Sequence, residues 1–244
     1  MNLLKSLLLF LALGVGMFVN LLNVEAFTPA KDLNTVDAVK AELLAVAESH
    51  KGKGDPDLAI QHQLDPYVDR LVELNPQAPI AQRKDLLVGK WTQVWGPYNY
   101  DDTKGRGVDP TVDVDNIYQI VFPDGYFYNV GHMFKTDAQK ETKYTTLMRG
   151  EYTILDNNSM DVAFKELHKI NRTPTPPLHY TDLPPLAEMN TLEGEQKILW
   201  DWLVRLLIGG GRLEEVYTDD TLRLAYGSSN DQASYLYVLK RVEK

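Results

Sequence analysis

The chain has 244 residues, 44% of them hydrophobic and 24% charged, which fits one medium globular domain with extensions and excludes a disordered chain or a polytopic membrane protein. Its formal net charge of −9 argues against nucleic acid as a partner and against electrostatic docking to anionic lipid. It has no cysteine, which excludes disulfides, thiolate metal sites and a thiol nucleophile, so the fold must stand on its core.

Residues 1–26 read as a signal peptide. Ser6 to Leu22 is apolar apart from Ser6 and Asn20, follows Lys5, and leads to Val24 and Ala26 in the small-residue pattern of a cleavage site. A cut after Ala26 leaves Phe27 at the N-terminus, and an uncleaved anchor helix is the alternative. Residues 27–85 read as a helical segment. Val36, Val39, Leu43, Leu44 and Ala47 recur at helical spacing between Thr35 and His50. A second stripe from about Asp57 carries Leu58, Ile60, Leu64, Val68, Leu71 and Leu74, with Asp65-Pro66 marking a kink or a fresh start.

Residues 86–244 change character to short runs of β-branched and aromatic residues bounded by turn chemistry. Strands are expected near Val88–Trp95, Asn116–Phe122, Tyr126–Phe134, Tyr144–Leu155, Met160–His168, Arg212–Thr218, Leu222–Tyr226 and Tyr235–Arg241. Pro123-Asp124-Gly125 and Asp156-Asn157-Asn158 are hairpin turns. Gly96–Asp115 reads as a long loop and Asn171–Met189, with its prolines, as an extended surface crossing.

Between that crossing and Gly209-Gly210-Gly211, a helix is expected over Leu192–Ile208. Glu193, Lys197, Asp201 and Arg205 form a ladder at four-residue spacing, and Trp200, Trp202 and their apolar neighbours cover most of the remaining surface. Such a helix would close one mouth of the barrel or contact a membrane. The pattern as a whole is mainly β: an antiparallel, lipocalin-like barrel of about eight strands, preceded by short helices and interrupted by one apolar helix before the last strands.

Little in the chain carries catalytic chemistry. The histidines, His50, His62, His132, His168 and His179, do not stand at ligand spacing, so no metal site is expected, and no nucleophile elbow or phosphate-binding loop occurs. Asp219 and Asp220 sit between two strands and read as a hairpin turn rather than a pair of acid/base carboxylates. Aromatic and polar strand residues supply the candidate ligand contacts: Trp91, Trp95, Tyr118, Tyr126, Tyr128, His132 and Arg223, joined by Trp202 from the helix. Alternation puts Tyr126, Tyr128, Val130, His132 and Phe134 on one face of their strand and Phe127, Asn129, Gly131 and Met133 on the other.

The run from Glu215 to Arg241 resembles the closing segment of plastid fibrillin (plastid lipid-associated protein) domains, matching it at Tyr217, Asp219, Asp220, Leu222, Arg223 and the strand through Val238 and Leu239. The lead-in of a helix, Asn75-Pro76 and a Gly-x-Trp first strand at Gly89, Lys90 and Trp91 is similar too, so the resemblance runs from about Thr35 to Lys240. The long loop after Trp95 and the strongly apolar segment from Leu192 depart from the family pattern. Ala26-Phe27-Thr28-Pro29 is also similar to the cleavage motif of presequences in algae with secondary plastids; export in a photosynthetic bacterium is the alternative.

The resemblance implies a non-catalytic protein without a cofactor, which binds, stores or transports carotenoids, prenylquinones or other lipids at thylakoid or plastoglobule surfaces. A structural coat on lipid bodies is the second expectation. An enzyme on a lipid or pigment, using Asp220, Arg223 and His132, is the third. Arg223 is expected to have a structural role beside the last strands, pairing with Asp219 or Asp220.

Overall fold

A computed structural model describes residues 28–52, 58–96, 111–137, 140–171, 195–197, 211–228 and 234–243. The expected leader, the Gly/Pro loop after Trp95 in its greater part and the proline-rich crossing lie outside these residues. Among the described residues no helix is long and apolar enough to cross a membrane.

Helix α1 (Val36–Ser49) begins at Thr35, whose hydroxyl accepts the Ala38 N–H at 3.3 Å and so satisfies one of the free donors of the first turn. Helix α2 (Ala59–Leu74) runs through Pro66 without a fresh start. Proline costs an interior turn its hydrogen bond, about 3 kcal/mol, but Leu64 on one side of it and Tyr67, Val68 and Leu71 on the other are all buried and hold the helix together. A 3₁₀ turn at Ile80–Gln82 and the single turn of α3 (Lys84–Leu87) then lead into the sheet.

The strands are β1 (Gly89–Trp95), β2 (Thr111–Val121), β3 (Tyr126–Asp137), β4 (Lys140–Ile154), β5 (Ser159–Asn171), β6 (Glu195–Lys197), β7 (Gly211–Thr218), β8 (Leu222–Ser228) and β9 (Tyr235–Glu243). All pairings are antiparallel, and eight strands close in the circular order β1-β2-β3-β4-β5-β7-β8-β9, with β9 returning to β1. The expected lipocalin-like barrel is therefore the fold. The segment expected as a helix over Leu192–Ile208 contributes β6, in which Glu195, Gln196 and Lys197 pair with Ile170, Lys169 and His168 of β5. The rest of that segment, with Trp200 and Trp202, lies outside the described residues.

The strands serve two cores by alternation. Outside the barrel, α1 and α2 lie on the wall of β1 and β7–β9, burying Val39, Leu43, Leu64 and Leu71 against Val94, Leu222, Leu224, Leu236 and Val238. Inside, Trp91, Val121, Phe127, Tyr152, Met160, Val162 and Leu239 pack together beneath Ile80 and Leu87. Ile80, Leu87 and the β2–β3, β4–β5 and β7–β8 turns close this end of the barrel. The Ile80 N–H donates to Asn157 O at 2.6 Å, and the Glu215 N–H to Asn158 O at 2.7 Å.

The opposite end is built differently. Thr92, the last β1 residue paired with β2, stands opposite Tyr118, whereas β2 starts at Thr111. At ~3.3 Å per residue, that leaves β2 and its neighbours projecting roughly 20 Å beyond the paired part of β1. Strands β2–β5 have 11 to 15 residues against 7 to 9 in β1 and β7–β9, so the barrel flares on one side.

Candidate functional site

The closed end is anchored by the residues of the first strand and the last. Gly89 adopts φ 128°, which side-chain-bearing residues avoid, and this lets the chain turn from α3 into β1. Trp91, two residues on, points inward with its indole N–H donating to Leu87 O at 2.8 Å. The Arg241 guanidinium stacks 4.0 Å from the Trp91 ring and donates to Val88 O at 2.7 Å and to Leu86 O. The Gly-x-Trp pattern thus has a structural cause: it seats the tryptophan that the last strand's arginine clamps. Burial lowers the Arg241 pKa, against the raising field of Asp220, and the nearby Arg223 charge lowers it further.

Deeper in the interior, Arg223 of β8 and Glu215 of β7 form an ion pair with exposures of 2% and 0%, which marks both charges as desolvated. Arg223 Nε donates to both Glu215 oxygens at 3.0 Å, Nη2 donates to Glu215 Oε1, and Nη1 donates to Gln119 Oε1. Gln119 in turn donates to Asn129 Oδ1 at 3.0 Å. At the base of this chain Arg83 donates to Thr218 Oγ1 at 2.9 Å, to Glu215 O at 2.7 Å and to Ala78 O at 2.9 Å. Burial lowers the Arg83 pKa; Glu215 opposes that shift and Arg223 reinforces it. A polar rail from Arg83 to Asn129 therefore crosses the barrel interior from β7–β8 to β2–β3.

Beside the rail stands an apolar wall. The Phe127 ring lies over Gly150, where an added Cβ would come within 2.2 Å of it, so the glycine makes room for the aromatic. Phe164 meets Phe127 edge-on at 5.8 Å. Between wall and rail lies a cavity of about 10 Å³, bordered by Gln119 and Arg223 on one side and Val121, Phe127, Tyr152, Met160, Val162 and Leu213 on the other. That is about the space of one water.

Of the candidate contacts read from sequence, Trp91 and Arg223 face this interior. Trp95 does not: a register shift between Gln93 and Trp95 turns its ring outward into the core beneath α1 and α2. Tyr118, Tyr126 and Tyr128 occupy the outer face of their strands. Lys90 Nζ lies 4.5 Å from the Tyr118 ring, the Arg149 guanidinium 4.7 Å from that of Tyr126, and Tyr128 packs edge-on to Phe122 at 5.8 Å. His132 pairs with Thr145 in β3–β4, its side chain outside the described residues, as is Trp202. The inward face of β3 is that of Phe127 and Asn129.

The resemblance motif in β7–β8 has a structural role. Asp219 and Asp220 form the β7–β8 turn, as expected, but Arg223 pairs with neither. Arg223 points inward with Glu215, whereas Leu222 and Leu224 face the helices. Asp219 Oδ1 accepts the Thr221 and Leu222 N–H groups at 2.8 and 2.9 Å, and Oδ2 binds Lys40 of α1 and the Tyr217 hydroxyl at 2.7 and 2.8 Å. Burial alone would raise the Asp219 pKa; the Lys40, Thr221, Leu222 and Tyr217 hydrogen bonds outweigh it and hold the carboxyl at about 2. Tyr217 is pushed up to about 12, first by burial and then by the Asp219 charge, against a lowering hydrogen bond from Asn75.

Glu215, Gln119, Asn129 and Arg83 were not legible as site residues. The Glu214-Glu215 pair does not say which carboxylate faces inward, because a register shift between Glu215 and Tyr217 breaks the alternation. Comparison with protein-family models, with curated proteins and with solved structures finds no match.

Proposed function

We propose that the chain is a non-catalytic carrier of lipophilic molecules, holding one apolar ligand inside the barrel and admitting it through the flared end. The observation that carries this reading is the asymmetry of the barrel. One end is sealed by Ile80, Leu87 and the Trp91–Arg241 clamp, while the interior wall of Phe127, Phe164, Met160 and Val162 continues toward strands that outrun their neighbours. An eight-stranded barrel has the width for a single small ligand. The resemblance to plastid fibrillins supports the same reading and suggests carotenoids, prenylquinones or other lipids as cargo, with plastid thylakoids or lipid bodies as the setting.

Delipidated protein titrated with retinol, a neutral apolar polyene, tests this. Saturable energy transfer from tryptophan to one retinol per chain is the expected result. Retinol fluorescence that rises without saturation, as it does on nonspecific surfaces, would contradict it.

A further inference from the structure

Arg83 and Arg223 are 5% and 2% exposed; Arg223 pairs with the carboxylate of the fully buried Glu215, whereas Arg83 donates to that residue's backbone carbonyl and to Thr218 Oγ1. Among the described residues no carboxylate is hydrogen-bonded to Arg83 and none but that of Glu215 to Arg223, so the base of the interior holds two cations against one anion. A buried charge without a counter-charge is expensive, and proteins pair such charges or let an anion reach them. Arg223 faces the cavity, and not all of its guanidinium N–H groups are engaged by Glu215 and Gln119. The other side of the same cavity is hydrocarbon.

We propose that the cargo is an amphiphile with an anionic head, a long-chain carboxylate, whose head seats between Arg223 and Gln119 and whose chain runs along the Phe127–Phe164 wall toward the flared end. This rests on the carrier reading above and names the ligand class for that site. The cavity takes about one water as it stands, so a carboxylate enters by displacing that water and moving the flexible Met160 side chain, the adjustable member of the wall. Arginine is suited to the role because its planar donors match a carboxylate's two oxygens.

The test compares cis-parinaric acid with its methyl ester, which share the chain and differ in the head's charge and one methyl group, by fluorescence titration of the full chain at pH 8. The acid is expected to bind at least tenfold more tightly. In Glu215→Gln, which removes the competing carboxylate but keeps its shape, the preference for the acid is expected to grow; in Arg223→Gln it is expected to vanish. Should either variant fail to fold, unmodified protein loaded with carboxyl-¹³C palmitate decides the matter. The bound carboxyl is then expected to titrate below the pH at which it titrates in detergent micelles. Equal affinity for acid and ester, or a bound carboxyl that titrates as in micelles, would overturn the anionic head and leave an apolar carrier standing. Binding of neither probe would overturn the carrier reading and this inference with it.

Discussion

Strands β7–β9 present one face to the helices and the other to the barrel interior, and the two faces are stabilised in different ways. The outer face is mainly hydrocarbon, Leu222, Leu224, Leu236 and Val238 against α1 and α2, with neutral or edge polar contacts at its two ends, Lys40, Asp219 and Tyr217 at one and Asp65–Tyr226 and Gln61–Leu236 at the other. The inner face places Glu215 and Arg223 among apolar side chains. An outer face of this kind needs only burial, whereas a buried ion pair contributes little net stability over a hydrophobic replacement. Its presence in the interior is in keeping with the binding role proposed for that face.

The largest effect expected from a single change is on the inner face. Glu215→Ala leaves the Arg223 guanidinium buried without its carboxylate, beside the buried Arg83 charge, and is expected to cost about 3–5 kcal/mol, read from the midpoint of urea unfolding. On the outer face Leu43→Ala removes a fully buried side chain from between helix and wall, with an expected cost of about 3 kcal/mol. The sharper contrast is the paired replacement of Glu215 and Arg223 by methionine. It is expected to cost less than Glu215→Ala alone, because the Arg223 charge leaves with its carboxylate, whereas no pair of polar replacements on the outer face should be tolerated.

Asp219 tests the edge between the two. Its carboxyl titrates at about 2 in the folded chain against 3.8 unperturbed, so its stabilisation is complete above about pH 4 and is lost as pH falls through about 2. Asp219→Asn is therefore expected to cost about 2 kcal/mol near neutrality, the gap from the unmodified protein closing as the pH is lowered. Tyr217 acts in the opposite range. With its phenol raised to about 12, the unfolded chain releases the proton first, and stability falls as pH rises above 10. The smallest effect is expected at the start of α1, where Thr35→Ala removes a cap worth about 1 kcal/mol.

Most of the barrel was legible because turn residues and strand alternation agreed: Pro123-Asp124-Gly125 and Asp156-Asn157-Asn158 stand between strands, and the eight expected runs each lie on a strand. Boundaries were lost where polar sequence continues a pairing. β4 begins at Lys140, in a stretch rich in Lys, Glu and Thr that carries no alternation. The four-residue charge ladder from Glu193 gave helical spacing, yet Glu195–Lys197 pairs with β5, a tertiary partner that outweighs local propensity. The site was less legible for a related reason. Register shifts at Gln93/Trp95 and Glu215/Tyr217 reverse which side chains face inward, so counting by twos placed Trp95 in the barrel and could not choose between Glu214 and Glu215. Arg83 lies between the 3₁₀ turn and α3, where no periodicity points to its destination.

Native mass spectrometry of the protein purified from its own source without detergent bears most directly on the claim that the barrel is a carrier. The expected spectrum shows the chain with one lipophilic molecule bound, released as a single discrete mass on activation. A spectrum of the bare chain alone, from protein that retains its β-sheet circular dichroism, would contradict it.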